Sequence, residues 1–151
     1  MNKNIFILTV LTTAIFFCLT IHAQEKDRKN ESEQNRLKES AVTIFHEIQN
    51  GISSGKVSNF SKYFNQQIFL SLSNGVNGYY SSNQAYYVLV EYFKLYQPTS
   101  FELGDIQDDE SDVYATGSYN YVYKGKRDMA QVYVSLKNTG KKWKITQITI
   151  N

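Results

Sequence analysis

The sequence predicts an α+β fold in the order ααββαββββ, a curved antiparallel sheet packed on helices. Three observations carry this expectation. Apolar residues in the first half recur at steps of three and four. From Ser100 the period changes to two. Gly-containing turn signals separate the alternating runs. With 151 residues, 42% of them apolar, and a formal charge of +2, the chain has enough material for one domain with a core. A single Cys excludes an internal disulfide framework, and a Cys/His zinc site lacks its ligands. The balanced charge excludes a strongly basic nucleic-acid binder.

The elements follow in order. Met1–Asn4 carries Lys3, Ile5–Ile21 is an uncharged apolar run, and His22-Ala23-Gln24 follows. This is the pattern of a secretory signal peptide over residues 1–23, with cleavage expected after Ala23. The run is at the lower limit for a membrane span, so no stable anchor is expected after cleavage. Cys18 follows Phe16 and Phe17, which does not match a lipid-modified cysteine, and it goes with the leader. The exported chain is then free of cysteine, which suits an oxidising compartment, periplasmic or outside the cell. Loss of Lys3 lowers the net charge by one. Residues 24–35 are polar and charged and read as a flexible linker. Residues 36–151 read as a single domain.

Leu37, Ala41, Ile44, Phe45, Ile48 and Ile52 mark one face of a first helix, with Gly55 as its stop. His46 lies about 180° from Leu37 on that helix and is expected in solvent. Val57–Phe64 reads as a short second helix with Phe60, Tyr63 and Phe64 inward. Gln67–Ser73 reads as a strand. Asn74-Gly75 and Asn77-Gly78 are turn signals, and Tyr79-Tyr80 belongs to the partner strand. Ser81 and Gln84 have capping-box spacing at the start of a third helix, which Pro98 prevents from continuing past about Tyr96. Its apolar residues spread widely around the axis, so cover on more than one side is expected. Phe101–Ile106, Val113–Tyr123, Met129–Leu136 and Lys142–Ile150 read as four strands. In the last, Trp143 and Ile145 share one parity, Ile148 and Ile150 the other. A bulge, or burial on both faces, would explain the change.

This order resembles the cone-shaped nuclear-transport-factor-two-like fold, also described as cystatin-like, over Arg36–Asn151. More closely, it is similar to an exported bacterial family labelled domain of unknown function 4783. The resembling stretches are Tyr80-Ser81-Ser82-Asn83-Gln84-Ala85, Tyr92-Phe93 and Trp143-Lys144-Ile145-Thr146-Gln147-Ile148-Thr149-Ile150. They are a helix cap, a core face and a closing strand, so the resemblance implies a fold and no particular chemistry. Enzymes and non-catalytic domains share that fold.

The search for chemistry turns on a few groups. Glu102 and Asp105 lie on or beside the first strand of the four, and either is the first suspect for the ionisable residue of an enzyme, with a Tyr as hydrogen-bond donor; no acid–base pair stands out. The segment Glu102–Asp112 is acidic but lacks the ligand spacing and the Gly of a calcium loop, so no metal is expected. Lys124, Lys126 and Arg127, and then Lys137, Lys141, Lys142 and Lys144, cluster around two hairpin loops. They suit edge protection, or a patch for an anionic ligand or surface contact. Tyr119, Tyr121 and Tyr123 share one face of their strand, and Tyr133 joins them if the next strand aligns suitably. These four and Trp143 are the candidate ligand or interface residues. A ligand wall, a subunit interface and ordinary core packing all remain open for them. The leading expectation is an exported, non-catalytic domain without cofactor. It binds a small ligand or an envelope protein through the sheet face or cone pocket, with a homodimer as one form and no nucleic acid. The alternatives are an isomerase- or dehydratase-type enzyme using Glu102 or Asp105, and a structural envelope accessory protein.

Overall fold

The computed structural model describes residues 28–151 except 30, 37, 110, 111 and 141. The chain divides into two compact units, Met1–Lys38 and Glu39–Asn151. In the first, Arg28, Lys29 and residues 31–36 are helical and exposed, in the stretch whose composition suggested a linker. The expected leader and Leu37 lie outside the described residues. Among the described residues, no helix is long and apolar enough to cross a membrane.

The second unit opens with helix α1, residues 39–53. Ala41, Ile44, Phe45, Ile48 and Ile52 are buried, as their spacing predicts, and His46 is exposed. Gly55, at φ +66°, ends the helix. Its N–H donates to Ile52 O at 3.0 Å and the Lys56 N–H to Gly51 O at 2.8 Å, a Schellman closure that needs a residue at ease in the left-handed region. The expected second helix is absent. Its place is taken by two 3-10 turns, Val57–Asn59 and Ser61–Tyr63. A run this short gains too few α-helical bonds to offset nucleation, and Ser58, Asn59 and Ser61 favour turns. Phe60 and Val57 are buried all the same.

Strand β1, Phe64–Leu72, pairs with β2, Asn77–Ser81, antiparallel. Gly75, at φ +93°, sits in the connection, where Asn74 Oδ1 accepts the Val76 N–H at 3.3 Å. Asn77-Gly78 is not a second turn, because Asn77 already pairs with Ser71. Helix α2, Ser82–Leu95, begins with the expected capping box: Ser81 Oγ accepts the Gln84 N–H, and Gln84 Oε1 accepts the Ser81 N–H. Ala85, Leu89, Tyr92 and Phe93 form its buried stripe, and the rest of its broad apolar face is less covered, with Tyr87 60% exposed.

The remaining strands are β3 (Gln97–Asp109), β4 (Asp112–Tyr123), β5 (Lys126–Asn138) and β6 (Trp143–Ile150). β3 and β5 are longer than their alternation suggested. β3 takes in Pro98, which an edge strand tolerates. The six-stranded sheet has the order β2-β1-β6-β5-β4-β3, and every pairing is antiparallel except β1 with β6. Inner residues of all the central strands are buried, among them Ile68, Leu70, Val132, Val134, Ile145 and Ile148. The edge strand β3 is held by α1. Ser53 Oγ donates to Phe101 O, and Gln49 Oε1 accepts the Leu103 N–H, both at 3.0 Å.

The phase change in β6 is a bulge. Ser135 pairs with Gln147 while Leu136 pairs with Ile145, which leaves Thr146 as the extra residue. Trp143, Ile145, Ile148 and Ile150 are consequently all buried on the inner side, and Thr146 and Gln147 lie side by side on the other.

Candidate functional site

The five residues singled out from the sequence fall into three places. Tyr119 and Tyr121 are 0% and 7% exposed on the inner face of β4. Tyr123, at the strand end, is half-buried. They pack against the C-terminal turns of α2. The rings of Tyr96 and Tyr123 stack at 4.6 Å, those of Tyr92 and Tyr96 at 4.5 Å, and Tyr119 lies on Tyr121 at 5.2 Å. Tyr119 Oη donates to the Tyr96 carbonyl, and Tyr92 Oη is 2.9 Å from Ser73 Oγ. Burial raises the phenol pKa of Tyr92 to about 12 and lifts that of Tyr119 further. Tyr121 is raised by burial first and by the Asp128 carboxylate second. These phenols stay protonated and serve as packing bodies with one polar tip each. Tyr119 and Tyr121 are covered within the chain and offer no wall to a partner.

Tyr133 does not join them. In the β4–β5 register it faces Thr116, while Tyr119 faces Ala130. It therefore stands on the outer face, where its ring lies 5.5 Å from that of Tyr114. Trp143 is buried elsewhere, beside a hollow of about 380 Å³ lined by Lys62, Tyr63, Lys142 and Lys144. The cations there are partly committed. Lys62 pairs with Glu47 at 2.6 Å, and Lys144 Nζ donates to the Lys62 carbonyl at 3.1 Å. The Glu47 carboxyl is lowered, chiefly by its hydrogen bond from Lys62.

Glu102 and Asp105 are both exposed on β3. The enzymatic alternative thereby loses both of the carboxylates it named. Among the described residues, no three His, Cys, Asp or Glu side chains gather to hold a metal.

The outer face carries a groove of about 520 Å³, within the range of small-molecule sites, roughly 300–1,000 Å³. Its floor arises from irregularity in two neighbouring strands. The β6 bulge puts Thr146 and Gln147 together. Beside them Phe64 of β1 faces Ile145 but Phe69 faces Gln147, so β1 swells between those points and presents Asn65 and Gln67. Bulges recur where a sheet must re-aim side chains. Two aromatic pairs form the walls: Phe69 with Tyr79, edge to face at 5.2 Å, and Tyr114 with Tyr133. Tyr79 is 74% exposed. Asp112 and Lys137 close one end as an ion pair at 4.0 Å. Only the strand order β2-β1-β6-β5-β4 brings these residues together.

The family model described as "Domain of unknown function (DUF4783)" matches residues 45–151. A DUF4783 family protein from Bacteroides ovatus shares 17% identity, with 69% of this chain and 90% of that one aligned at a TM-score of 0.61. One from Bacteroides uniformis shares 15%, with 70% and 94% aligned at 0.63. An NTF2-like protein from Anabaena variabilis shares 17%, with 76% and 87% aligned at 0.60. At these identities the likeness is one of fold. No curated protein matches the chain.

Proposed function

The chain belongs to the DUF4783 family, and from the two faces of its sheet we propose that it is an exported, non-catalytic binding domain whose working surface is the outer-face groove. One observation carries this. The inner face is filled by its own tyrosines, while the outer face keeps aromatic side chains and uncharged polar groups around an unfilled groove. Aromatic residues left at a surface beside polar groups are the composition of recognition sites. The catalytic alternative loses support with the exposure of Glu102 and Asp105. Export rests on the leader pattern of residues 1–23.

The test is native mass spectrometry of the chain as a secretory host delivers it, alongside a Tyr79→Asp/Tyr133→Asp double variant. The expected result is a dimer, or a reproducible non-covalent mass, that the double variant loses. A bare monomer, or an association that survives the double variant, overturns the assignment of the groove. The same spectrum reads the N-terminus, expected at Gln24.

A further inference from the structure

The groove's lining specifies the chemistry of what it holds. Among the described residues its only charged side chains, Asp112 and Lys137, are paired with each other, so they offer no net charge to an ion. The floor is made of amides and hydroxyls. Each amide is both a donor and an acceptor, and each hydroxyl is the same. Part of that capacity is used internally: Gln147 Nε2 donates to Thr149 Oγ1 at 3.1 Å, and Thr146 Oγ1 to Ser135 O at 3.4 Å. The side-chain amides of Asn65 and Gln67 bond to no other described residue. The walls are flat aromatic rings.

We propose that the groove binds a neutral, polyhydroxylated ligand, a short oligosaccharide; this rests on the groove being the binding surface. The faces of a sugar ring that carry only C–H bonds are flat and apolar and pack on Tyr and Phe rings. The rim of the same ring carries hydroxyls, each needing a donor and an acceptor, which paired amides supply together. A purely apolar ligand would strip water from Asn65, Gln67 and Gln147 without replacing its hydrogen bonds. An extended peptide adds to a sheet by its edge, whereas the floor of this groove crosses the interior strands β1, β6 and β5. A nucleic acid needs a cationic track that this lining lacks. From Tyr79 on β2 to Tyr114 on β4 the groove crosses four strand spacings, about 19 Å at about 4.8 Å each. That length suits several linked rings better than one.

The experiment is an NMR titration of the isotopically labelled chain, as secreted, with maltotriose, cellotriose and triacetylchitotriose. Decanoate serves as an apolar probe, and a dilution series reports self-association. The expected result is that at least one trisaccharide saturably shifts the side-chain amide signals of Gln67 and Gln147. Tyr133→Ala and Gln147→Ala should each weaken that binding about fivefold to tenfold, as loss of one stacking or hydrogen-bonding group does. Tyr87→Ala, which removes an exposed ring on α2 away from the groove, should leave it unchanged. Movement of the groove signals only with decanoate or with protein concentration overturns the sugar assignment and leaves the groove as the binding surface. Groove signals that move with none of the probes overturn both. Trisaccharide binding that survives Tyr133→Ala and Gln147→Ala places the sugar elsewhere and also overturns the proposal.

Discussion

Replacing Gly117 with Ala tests how tightly the sheet edge is fixed. Gly117 pairs with Leu103 on β3. A Cβ there would lie 2.5 Å from the Glu102 carbonyl oxygen and 2.7 Å from a ring carbon of Phe101. Ordinary van der Waals contact starts near 3.4 Å, so β3 or the ring would have to retreat by close to an ångström. Neither has room. Phe101 is 2% exposed, its carbonyl is held by Ser53, and the next strand amide inward is held by Gln49. Overpacking a fitted site costs about 1–3 kcal/mol. Restricting the unfolded chain by Gly→Ala returns about 0.4–1 kcal/mol. Displacement of β3 weakens one of its two bonds to α1, worth about 1 kcal/mol. The net expectation is a loss of about 2 kcal/mol, which at about 3–5 °C per kcal/mol for a domain of this length lowers Tm by about 6–10 °C. Gly104→Ala is the matched control. Its Cβ meets one atom, Thr116 O, at 3.4 Å, so stability should stay within about 0.5 kcal/mol of the parent. Urea and thermal unfolding followed by circular dichroism would read both. A Gly117→Ala midpoint equal to the parent's, or an equal fall in both variants, would refute the reasoning.

Three further outcomes are expected. The neutral Tyr92 phenol is favoured in the folded chain, so its contribution is whole below the ordinary tyrosine pKa of about 10 and is lost as pH rises toward about 12. Urea midpoints should fall over that window, less steeply in Tyr92→Phe; an unchanged slope in the variant would assign the pH dependence elsewhere. Ser81→Ala removes the cap of α2 and should cost about 1 kcal/mol in chemical denaturation. Deleting Thr146 would remove the extra residue and leave Trp143, Ile145, Ile148 and Ile150 in one unbroken alternation on the inner side, so the core should still form while the groove floor loses the paired Thr146 and Gln147. Insoluble or non-cooperatively unfolding protein from that deletion would refute the assignment of Thr146 as the extra residue.

Much of the fold is legible along the chain because its determinants are local. The spacing of Ala41, Ile44, Phe45, Ile48 and Ile52 marks the buried stripe of α1, and Ser81 with Gln84 marks the start of α2. Even the bulge is foreshadowed by the broken parity of β6. What escapes is whatever depends on pairing partners. Tyr133 could have stood on either face, since a one-residue slip of β5 reverses every side chain in it. Pro98 disguised the start of β3, because its lack of an N–H matters in a central strand and not on an edge. Val57–Phe64 has a helix-like apolar pattern, but its length suffices only for two tight turns. The groove was the least legible of all. Gln67, Tyr79, Tyr114, Tyr133 and Gln147 come from five strands, and nothing local to any of them announces the other four.

The position of β6 has a kinetic consequence. It is the last of the six strands in the chain, yet it lies between β1 and β5. Until Trp143–Ile150 arrives, a chain emerging N-terminus first holds a β1–β2 hairpin and a β3–β5 meander with a strand-wide gap between them. Insertion of β6 then joins segments far apart in sequence, for which closure entropy makes folding slow. A protein threaded across a membrane must stay unfolded until its passage is nearly complete. On the proposed export route, a keystone strand that arrives last would hold compaction back for that interval, so one topological choice would serve both the finished sheet and passage of the unfolded chain.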